Sequence, residues 1–211
     1  KDNRLKNETL TGETNFNGVF QINSTLPRIQ YIVNASRYGK IFNPNNNTVA
    51  SLPAKEHVNV TILCPAKTLT LNITDHNRNP FANAQVEVTE QMGGISYTGT
   101  TDSSGILTLQ CTFGKYNVKV YAENILLNKT SVELFEDQNV SLYCKLYNLT
   151  VSVKAIDYFG QPIPNVNVTI TREKTYSRSA LTKLDGTAQF PNFIGGKCQI
   201  DAYLNGQEPL T

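Results

Sequence analysis

The sequence lacks tryptophan, has one methionine and two histidines, and devotes only 17% of its 211 residues to charged side chains. Its formal net charge is +2 and it contains no run of lysine or arginine, which argues against nucleic acid as a partner. No segment approaches the roughly 20 consecutive apolar residues of a membrane-spanning helix, so we predict no membrane span in this chain. The surface is expected to be uncharged and polar, supplied by asparagine, threonine and serine.

The motifs that catalytic sites need are also missing. The sequence holds no nucleophile elbow, no glycine-rich phosphate loop and no HExxH metal motif. His57 lies beside Glu56, and His76 lies in a turn whose equivalent later in the chain carries Tyr158, so His76 is interpreted as a turn residue and not as a base. We therefore predict that the chain is not an enzyme and has no catalytic residue, metal ligand or cofactor.

What the chain does contain is an internal repeat of about 80 residues. Residues 69–75 resemble residues 151–157, and residues 58–64 resemble residues 139–144. A period of this size indicates modules in series. The start of the chain holds only the second half of a repeat and its end lacks the last strands of one, which predicts either an excerpt from a longer protein or a subunit completed by its neighbours.

Alternating Val, Ile, Leu, Thr and Tyr, broken by Gly, Pro, Asn and Asp clusters, indicates β-strands throughout, and no segment keeps a helical period. Seven short strands in about 80 residues predict an all-β fold of tandem Greek-key, immunoglobulin-like sandwiches. The expected domains are a partial sandwich or strand-donating region (1–65), a complete sandwich (66–145) and a sandwich without its last strands (146–211). The middle repeat predicts strands near 68–75, 84–90, 95–100, 106–112, 116–122, 130–135 and 138–145, and the third predicts 148–157, 166–171, 176–182, 187–190 and 198–204.

The turns of the third repeat carry a recognisable pattern. Asp157-x-x-Gly160-x-Pro162, then Asn165-Val-x-Val, and later Asp185-Gly-Thr-Ala, resembles the transthyretin-like, carboxypeptidase-regulatory-like group of immunoglobulin-type domains. Residues 149–204 carry the fullest match and residues 69–122 a clear one. The resemblance implies a seven-strand sandwich that serves as a spacer, stalk or adhesion module and is not itself catalytic.

Ten Asn-X-Ser/Thr sequons predict N-glycosylation and an extracellular or cell-surface location. Several alternate with apolar residues on predicted strands, so their side chains are expected to face solvent. Chance occurrence in an Asn- and Thr-rich chain is the alternative. The predicted sites are Asn7, Asn23, Asn34, Asn46, Asn59, Asn72, Asn128, Asn139, Asn148 and Asn167, of which Asn59, Asn72, Asn139, Asn148 and Asn167 are the strand positions.

The four cysteines, Cys64, Cys111, Cys144 and Cys198, allow three disulfide pairings. Their spacing is not that of a metal site, and disulfides are the usual state in an extracellular protein. The start of strand one and the end of strand four lie at the same end of such a sandwich, which favours Cys64 with Cys111 and Cys144 with Cys198. Four buried free thiols are the alternative.

Three other features each have a functional and a purely structural interpretation. Recurring Asp75, Asp102, Asp157 and Asp185 are interpreted as turn-capping residues, with an intermodule calcium site as the alternative. Lys154 lies on the strand from which related pilus domains form Lys–Asn isopeptide bonds, but its parity points it outward, so no cross-link is predicted. The aromatic residues are expected to pack in the core more than to line a sugar-binding surface.

Together these features predict a non-catalytic, heavily N-glycosylated extracellular structural protein. The composition and dense sequons resemble crenarchaeal surface glycoproteins of the S-layer stalk or thread-filament type. The expected partners are copies of itself or neighbouring surface proteins, together with covalent N-glycans. If the chain is a whole subunit, we expect an N-terminal strand to complete the last sandwich of a neighbouring subunit. The candidate strands are residues 20–22, 29–33 and 58–64. The alternatives are a spacer or substrate-binding appendage of a large secreted hydrolase, and an adhesin.

Overall fold

The computed structural model describes residues 9–23, 30–44, 48–51, 58–172 and 176–204. Across these ranges the chain forms strands and turns and no helix, and therefore no helix long and apolar enough to cross a membrane. The strands are β1 (Gln30–Val33), β2 (Ser36–Arg37), β3 (Lys40–Ile41), β4 (Thr48–Ser51), β5 (Ala66–Thr74), β6 (Gln85–Glu90), β7 (Ser96–Thr100), β8 (Ile106–Thr112), β9 (Gly114–Ala122), β10 (Ile125–Leu134), β11 (Gln138–Tyr143), β12 (Leu149–Lys154), β13 (Val166–Arg172), β14 (Tyr176–Leu181), β15 (Thr187–Phe193) and β16 (Cys198–Leu204).

The chain divides into two compact units. The first comprises residues 1–35 and 43–63 and contains the antiparallel pair β1–β4. The second comprises residues 36–42 and 64–211 and contains the hairpin β2–β3 and strands β5 to β16. These later strands form two sandwiches of different completeness.

In the first unit, Asn43 is buried and stabilises the chain next to β1. Its Nδ2 donates to the carbonyl oxygen of Val33 (3.0 Å) and its Oδ1 accepts from the amide of Ala35 (2.9 Å). Of the three strands predicted in this region, the one near residues 29–33 is present as β1. The other two, at residues 20–22 and 58–64, pair with no strand among the described residues.

Strands β5 to β11 form a complete two-sheet sandwich. One sheet has the order β11–β5–β8 and the other β10–β9–β6–β7. Every neighbouring pair is antiparallel except β11 and β5, which run parallel with Val140 beside Leu71. This is the seven-strand Greek-key arrangement expected for a transthyretin-like domain.

The core of this sandwich follows from the period-2 alternation of its strands. On β5, Leu69, Leu71 and Ile73 are wholly buried, and they face Val118 on β9, which is also wholly buried. Each such side chain contributes about 1.5–3 kcal/mol by leaving water. Buried Tyr116 donates its hydroxyl hydrogen to the carbonyl of Thr112 (2.7 Å), and burial raises the pKa of Tyr116 to about 12.

Strands β12 to β16 repeat the first five strands of the middle sandwich. They form the sheets β12–β15 and β14–β13–β16. Val153 of β12 lies opposite Ala188 of β15, just as Leu71 lies opposite Leu107 in the middle sandwich. Among the described residues this third repeat has no strand equivalent to β10 or β11.

Each of these two repeats contains an equivalent glycine in a tight turn and an equivalent buried threonine that bonds to the backbone. Gly105 and Gly186 have φ of +73° and +75°, and a Cβ at either would lie 2.5 Å from a carbonyl oxygen of the first strand, so no other residue fits without a shift. Thr101 Oγ1 accepts from the amide of Ala84 (2.9 Å) and donates to the carbonyl of Phe81 (2.5 Å). Thr182 repeats both bonds at 2.9 and 2.8 Å.

The predicted fold class, all-β with tandem Greek-key immunoglobulin-like sandwiches, is confirmed. The strands predicted for the middle and third repeats are all present. The largest difference lies at β10, which begins at Ile125 and not near residue 130. The division into three domains stays a prediction.

Candidate functional site

The structure describes one of the two histidines of the sequence. His76 lies in the turn after β5, where its Nδ1 is 3.1 Å from the carbonyl oxygen of Lys145. This is the contact of a turn residue. His57 lies outside the described residues. Where the structure describes the chain, no three His, Cys, Asp or Glu side chains come together as metal ligands would.

The recurring aspartates cap turns. Asp75 Oδ1 accepts from the amides of Asn77 (2.8 Å) and Asn79 (2.9 Å). Asp102 and Asp157 each accept two backbone amides in the same way. These bonds match the turn-capping interpretation of the sequence. Lys154, at the position considered for an isopeptide bond, is exposed.

The turn after β5 packs against the chain that leads into the third sandwich. Phe81 stacks on Tyr147 with ring centroids 3.7 Å apart and planes inclined by 14°. The amide of His76 donates to the carbonyl of Tyr147 (3.0 Å). The guanidinium of Arg78 lies 3.7 Å from the centre of the Tyr143 ring, whose hydroxyl donates to the carbonyl of His76 (3.1 Å). Ring packing and hydrogen bonds together hold the segment that leads into the third sandwich against the middle sandwich.

Asn148 is part of this junction and does not face solvent as its sequence context predicts. It has φ of +64° and is half-buried immediately before β12. Its Nδ2 donates to Oδ2 of Asp75 (2.6 Å), and its carbonyl accepts from Nδ2 of Asn77 (3.4 Å). Asn148 has a left-handed backbone conformation just before β12 begins. The in–out alternation of side chains along the strand therefore does not include Asn148 and does not give the direction of its side chain.

The other sequons fall into three groups. Asn128 is half-buried, and its Nδ2 donates to the carbonyl of Tyr143 (2.9 Å). Asn7 and Asn46 lie outside the described residues. The sequon asparagines that the structure leaves exposed are Asn23, Asn34, Asn59, Asn72, Asn139 and Asn167.

The edge of β12 is the first open surface of the third sandwich. In the middle sandwich, β11 lies along β5 and helps to cover Leu71 and Ile73, both wholly buried. The amide of Ala155 donates to Gly186 as that of Ile73 does to Gly105, so Ala155 is the equivalent of Ile73. Yet Val153 and Ala155 are only half-buried. The described chain supplies no strand along this edge.

The edge of β16 is the second open surface. Ile200 lies directly opposite Ile170 of β13, whose side chain is buried in the core, so both point to the core face. Ile200 is nevertheless 52% exposed, whereas the equivalent Val118 of the middle sandwich is wholly buried. The sequence predicted missing last strands but did not single out Ile200. Its parity with Ile170 is the signal that identifies it.

A third apolar surface lies on the turn after β12. Tyr158 is 96% exposed and Phe159 is 83% exposed, and Ile156 and Leu184 nearby are exposed as well. This turn has the same hydrogen bonds as the turn after β5. Asp157 Oδ1 accepts from the amides of Phe159 and Gln161, as Asp75 Oδ1 does from the amides two and four residues after it. The middle turn is covered by the junction, and this one is not covered by any described residue.

None of the four cysteines forms a disulfide in this structure. Cys111 lies opposite Lys67 on the β5–β8 ladder, so Cys64 is three residues further along, about 10 Å away. A disulfide needs Cα atoms about 4.4–6.8 Å apart. Cys111 and Cys144 are buried, which raises the pKa of each thiol to about 11. The pairs Cys64–Cys111 and Cys144–Cys198 stay predictions, and the first requires the chain before β5 to shift.

Comparison with known proteins yields distant structural likenesses. No protein-family model matches the sequence, and no curated protein is similar to it. Among solved structures the chain is similar to the Bacillus anthracis TIE protein (20% identity, TM-score 0.36), covering 66% of this chain and 29% of that one. It is also similar to a streptococcal ancillary pilin (13%, 0.39; 88% and 68% covered) and to GBS52, the minor pilin of Streptococcus agalactiae (12%, 0.43; 67% and 84% covered). At these identities and TM-scores the likenesses carry no argument about function.

Proposed function

We propose that this protein is a non-catalytic subunit of an extracellular assembly at the cell surface, a filament or an S-layer-type lattice. Copies join in it by strand complementation at the open edges of the third sandwich. The observation that carries the proposal is Ile200, which is 52% exposed although it faces the core opposite Ile170. An unpaired edge beside exposed core residues is a template for pairing with another chain.

The extracellular location is supported by the surface chemistry. Six sequon asparagines are exposed, and a surface rich in uncharged polar residues tolerates glycans. We propose that most of these sites carry N-glycans. The resemblance to crenarchaeal surface glycoproteins rests on composition, dense sequons and architecture, and the solved structures named above come from bacteria.

Assembly and glycosylation are tested separately. Full chain at increasing concentration, studied by light scattering and negative-stain electron microscopy, is expected to form filaments or sheets with a regular repeat. A monomer at every concentration would instead favour the spacer, appendage or adhesin functions. Intact mass spectrometry of material from the native source is expected to exceed the 23.4 kDa of the polypeptide by several glycans.

A further inference from the structure

A strand that fits the open β12 edge occurs elsewhere in this chain. Residues 59–64 read Asn-Val-Thr-Ile-Leu-Cys and repeat residues 139–144, Asn-Val-Ser-Leu-Tyr-Cys, which include most of β11. In the middle sandwich β11 covers β5, the equivalent of β12. Residues 58–64 pair with no strand in the described part of the chain, and Leu63 is 85% exposed. The described chain thus has an unpaired segment that is equivalent to β11, and an unpaired edge on β12, which is equivalent to β5.

The segment cannot reach the β12 edge of its own copy. The carbonyl of Pro65 accepts from the amide of Phe113 (3.0 Å), which fixes the end of the segment at the start of β5. β12 begins beyond the opposite end of β5, where Asn148 is bonded to Asp75. The nine residues of β5 span about 30 Å, whereas residues 58–64 reach at most about 25 Å when extended. Residues 58–64 can therefore fill this edge only on a second copy.

We propose that residues 58–64 of one copy bind parallel to β12 of a second copy, in the register that β11 has on β5. This rests on the proposed function and names the strand that joins the subunits. On β5, Val140 lies beside Leu71 and Leu142 lies beside Ile73. The same register on the third sandwich pairs Val60 with Val153, Thr61 with Lys154, Ile62 with Ala155, and Leu63 with Ile156.

This register satisfies the hydrophobic pattern of both partners. Val60 and Ile62 share one parity, opposite to that of Asn59, Thr61 and Leu63, so both turn toward the core face when the segment is a strand in this register. They then lie over Val153 and Ala155, which are half-buried in the unpaired sandwich. Thr61 faces outward beside exposed Lys154. A slip by one residue would place Thr61 in the core, so the pattern excludes it. The match of residues 59–64 to residues 139–144 selects this register over a slip by two.

The connection after the strand supports the same arrangement. Cys144 follows β11 and leads through the junction into β12. In the incoming copy Cys64, the last residue of the donated strand, leads directly into β5. The incoming chain therefore passes the turn after β12, where Tyr158 and Phe159 are 96% and 83% exposed. Joined copies continue the array of sandwiches with the same order as within one chain.

Cysteine cross-linking of two different variants tests the register. Thr61→Cys in one full-length preparation is mixed with Lys154→Cys in another, oxidised and mapped by mass spectrometry under non-reducing conditions. We expect a disulfide that links the peptide of residue 61 to the peptide of residue 154 in a dimer. Thr61→Cys mixed with Ser152→Cys is the matched control, because the two positions are then offset by two residues, about 7 Å. A yield no greater than that of the control would overturn the register.

A second pair of variants tests the donated strand itself. Ile62→Asp places a charge among the core residues of the acceptor and is expected to reduce assembly, measured by sedimentation, by more than about tenfold. Thr61→Asp faces outward and is expected to leave assembly within about twofold of wild type. Circular dichroism checks that both variants fold.

The outcomes separate this inference from the proposed function. Wild-type assembly that persists in Ile62→Asp contradicts donation by residues 58–64 and leaves a surface assembly standing with another joint. Part of the β12 amides bond to β15 and the others face the open edge. Protection of the edge-facing amides from hydrogen exchange in a monomeric wild-type chain would mean that the chain's own later residues fill the edge, and donation is then wrong. A wild-type chain that stays monomeric with these edge-facing amides unprotected and gives no cross-link contradicts both.

Discussion

The rings of Phe81 and Tyr147 lie nearly parallel, with centroids 3.7 Å apart and planes inclined by 14°. Phe81 follows the turn after β5, and Tyr147 precedes β12, so this contact joins the middle sandwich to the segment that leads into the third. The hydrogen bonds of His76 and Asn148 fall within the same short segments. Because these contacts share a few residues, the two sandwiches are expected to unfold together.

Replacing Tyr147 with alanine removes the stack but leaves the backbone bond from His76 in place. We expect the free energy of unfolding to fall by about 1–3 kcal/mol and the single calorimetric transition to split into two. Tyr158→Ala is the matched control, because Tyr158 is 96% exposed in the single chain, and its effect is expected to stay within about 0.5 kcal/mol. An unsplit transition at the wild-type temperature would contradict the coupling role of Tyr147.

A buried carboxylate at the end of β6 gives a second prediction. The side chain of Glu90 is 4% exposed and accepts from the guanidinium of Arg37 and from the hydroxyl of Tyr38 (3.0 Å). Arg37→Ala leaves this carboxylate buried without its cation. Because Arg37 is partly exposed, we expect a loss of about 2–4 kcal/mol, somewhat below that of a fully buried pair.

The control for this prediction is a pair of the same residue types at the surface. Arg178 lies 3.9 Å from Glu123, and both side chains are about half exposed. Arg178→Ala is expected to cost less than about 1 kcal/mol. Urea unfolding of both variants at pH 7 measures the difference, and equal losses would mean that Glu90 is not stabilised by Arg37.

The strands could be predicted because apolar and polar residues alternate along a strand that has one buried face and one exposed face. Leu69, Leu71 and Ile73 illustrate this, since each is separated by one polar residue and all three are buried. The start of β10 could not be predicted in the same way. The hairpin before it turns at Glu123 and Asn124, both with positive φ, and this pair lacks the Asn-Gly or Asp-Gly signature of such turns.

The details of the site depend on distances that alternation does not encode. The strand order predicts that Cys64 and Cys111 lie at the same end of the sandwich, but the β5–β8 register sets them three residues apart along the ladder. The strand alternation predicts that Asn148 faces outward. Its backbone has a positive φ, so Asn148 is not part of β12 and the alternation does not apply to its side chain. The stack of Phe81 on Tyr147 joins residues far apart in sequence, and no local pattern indicates it.

The exposure of the sequons predicts which asparagines carry glycans. Asn72, Asn139 and Asn167 are exposed on strands, and we expect high occupancy at all three. At Asn148 the amide nitrogen that would receive the glycan donates to Asp75 at 2.6 Å, so we expect little or none. Glycopeptide mass spectrometry of native material measures each site. High occupancy at Asn148 would show that the junction forms differently in the mature protein.

The buried thiols predict a loss of stability at alkaline pH. Burial raises the pKa of Cys111 and of Cys144 from the usual 9.0 to about 11, so the folded chain holds these protons more tightly than the unfolded chain. The contribution is complete below pH 9 and is lost as the pH rises from 9 to 11. The expected loss is about 1.4 kcal/mol per thiol for each pH unit in this window. Tyr116, with a pKa of about 12, adds to the loss only above pH 10.

Urea unfolding between pH 7 and 10.5 measures this loss, and the double variant Cys111→Ala, Cys144→Ala is expected to flatten it. Alkylation at pH 8 gives an independent measurement, because a thiol with a pKa of about 11 is only about one part in a thousand thiolate there. We expect Cys111 and Cys144 to resist labelling in the folded chain and to react fully in urea without reductant. If the four cysteines form the pairs predicted from the sequence, neither residue labels in urea and the loss of stability between pH 9 and 10 disappears. The two experiments together therefore decide between free thiols and disulfides.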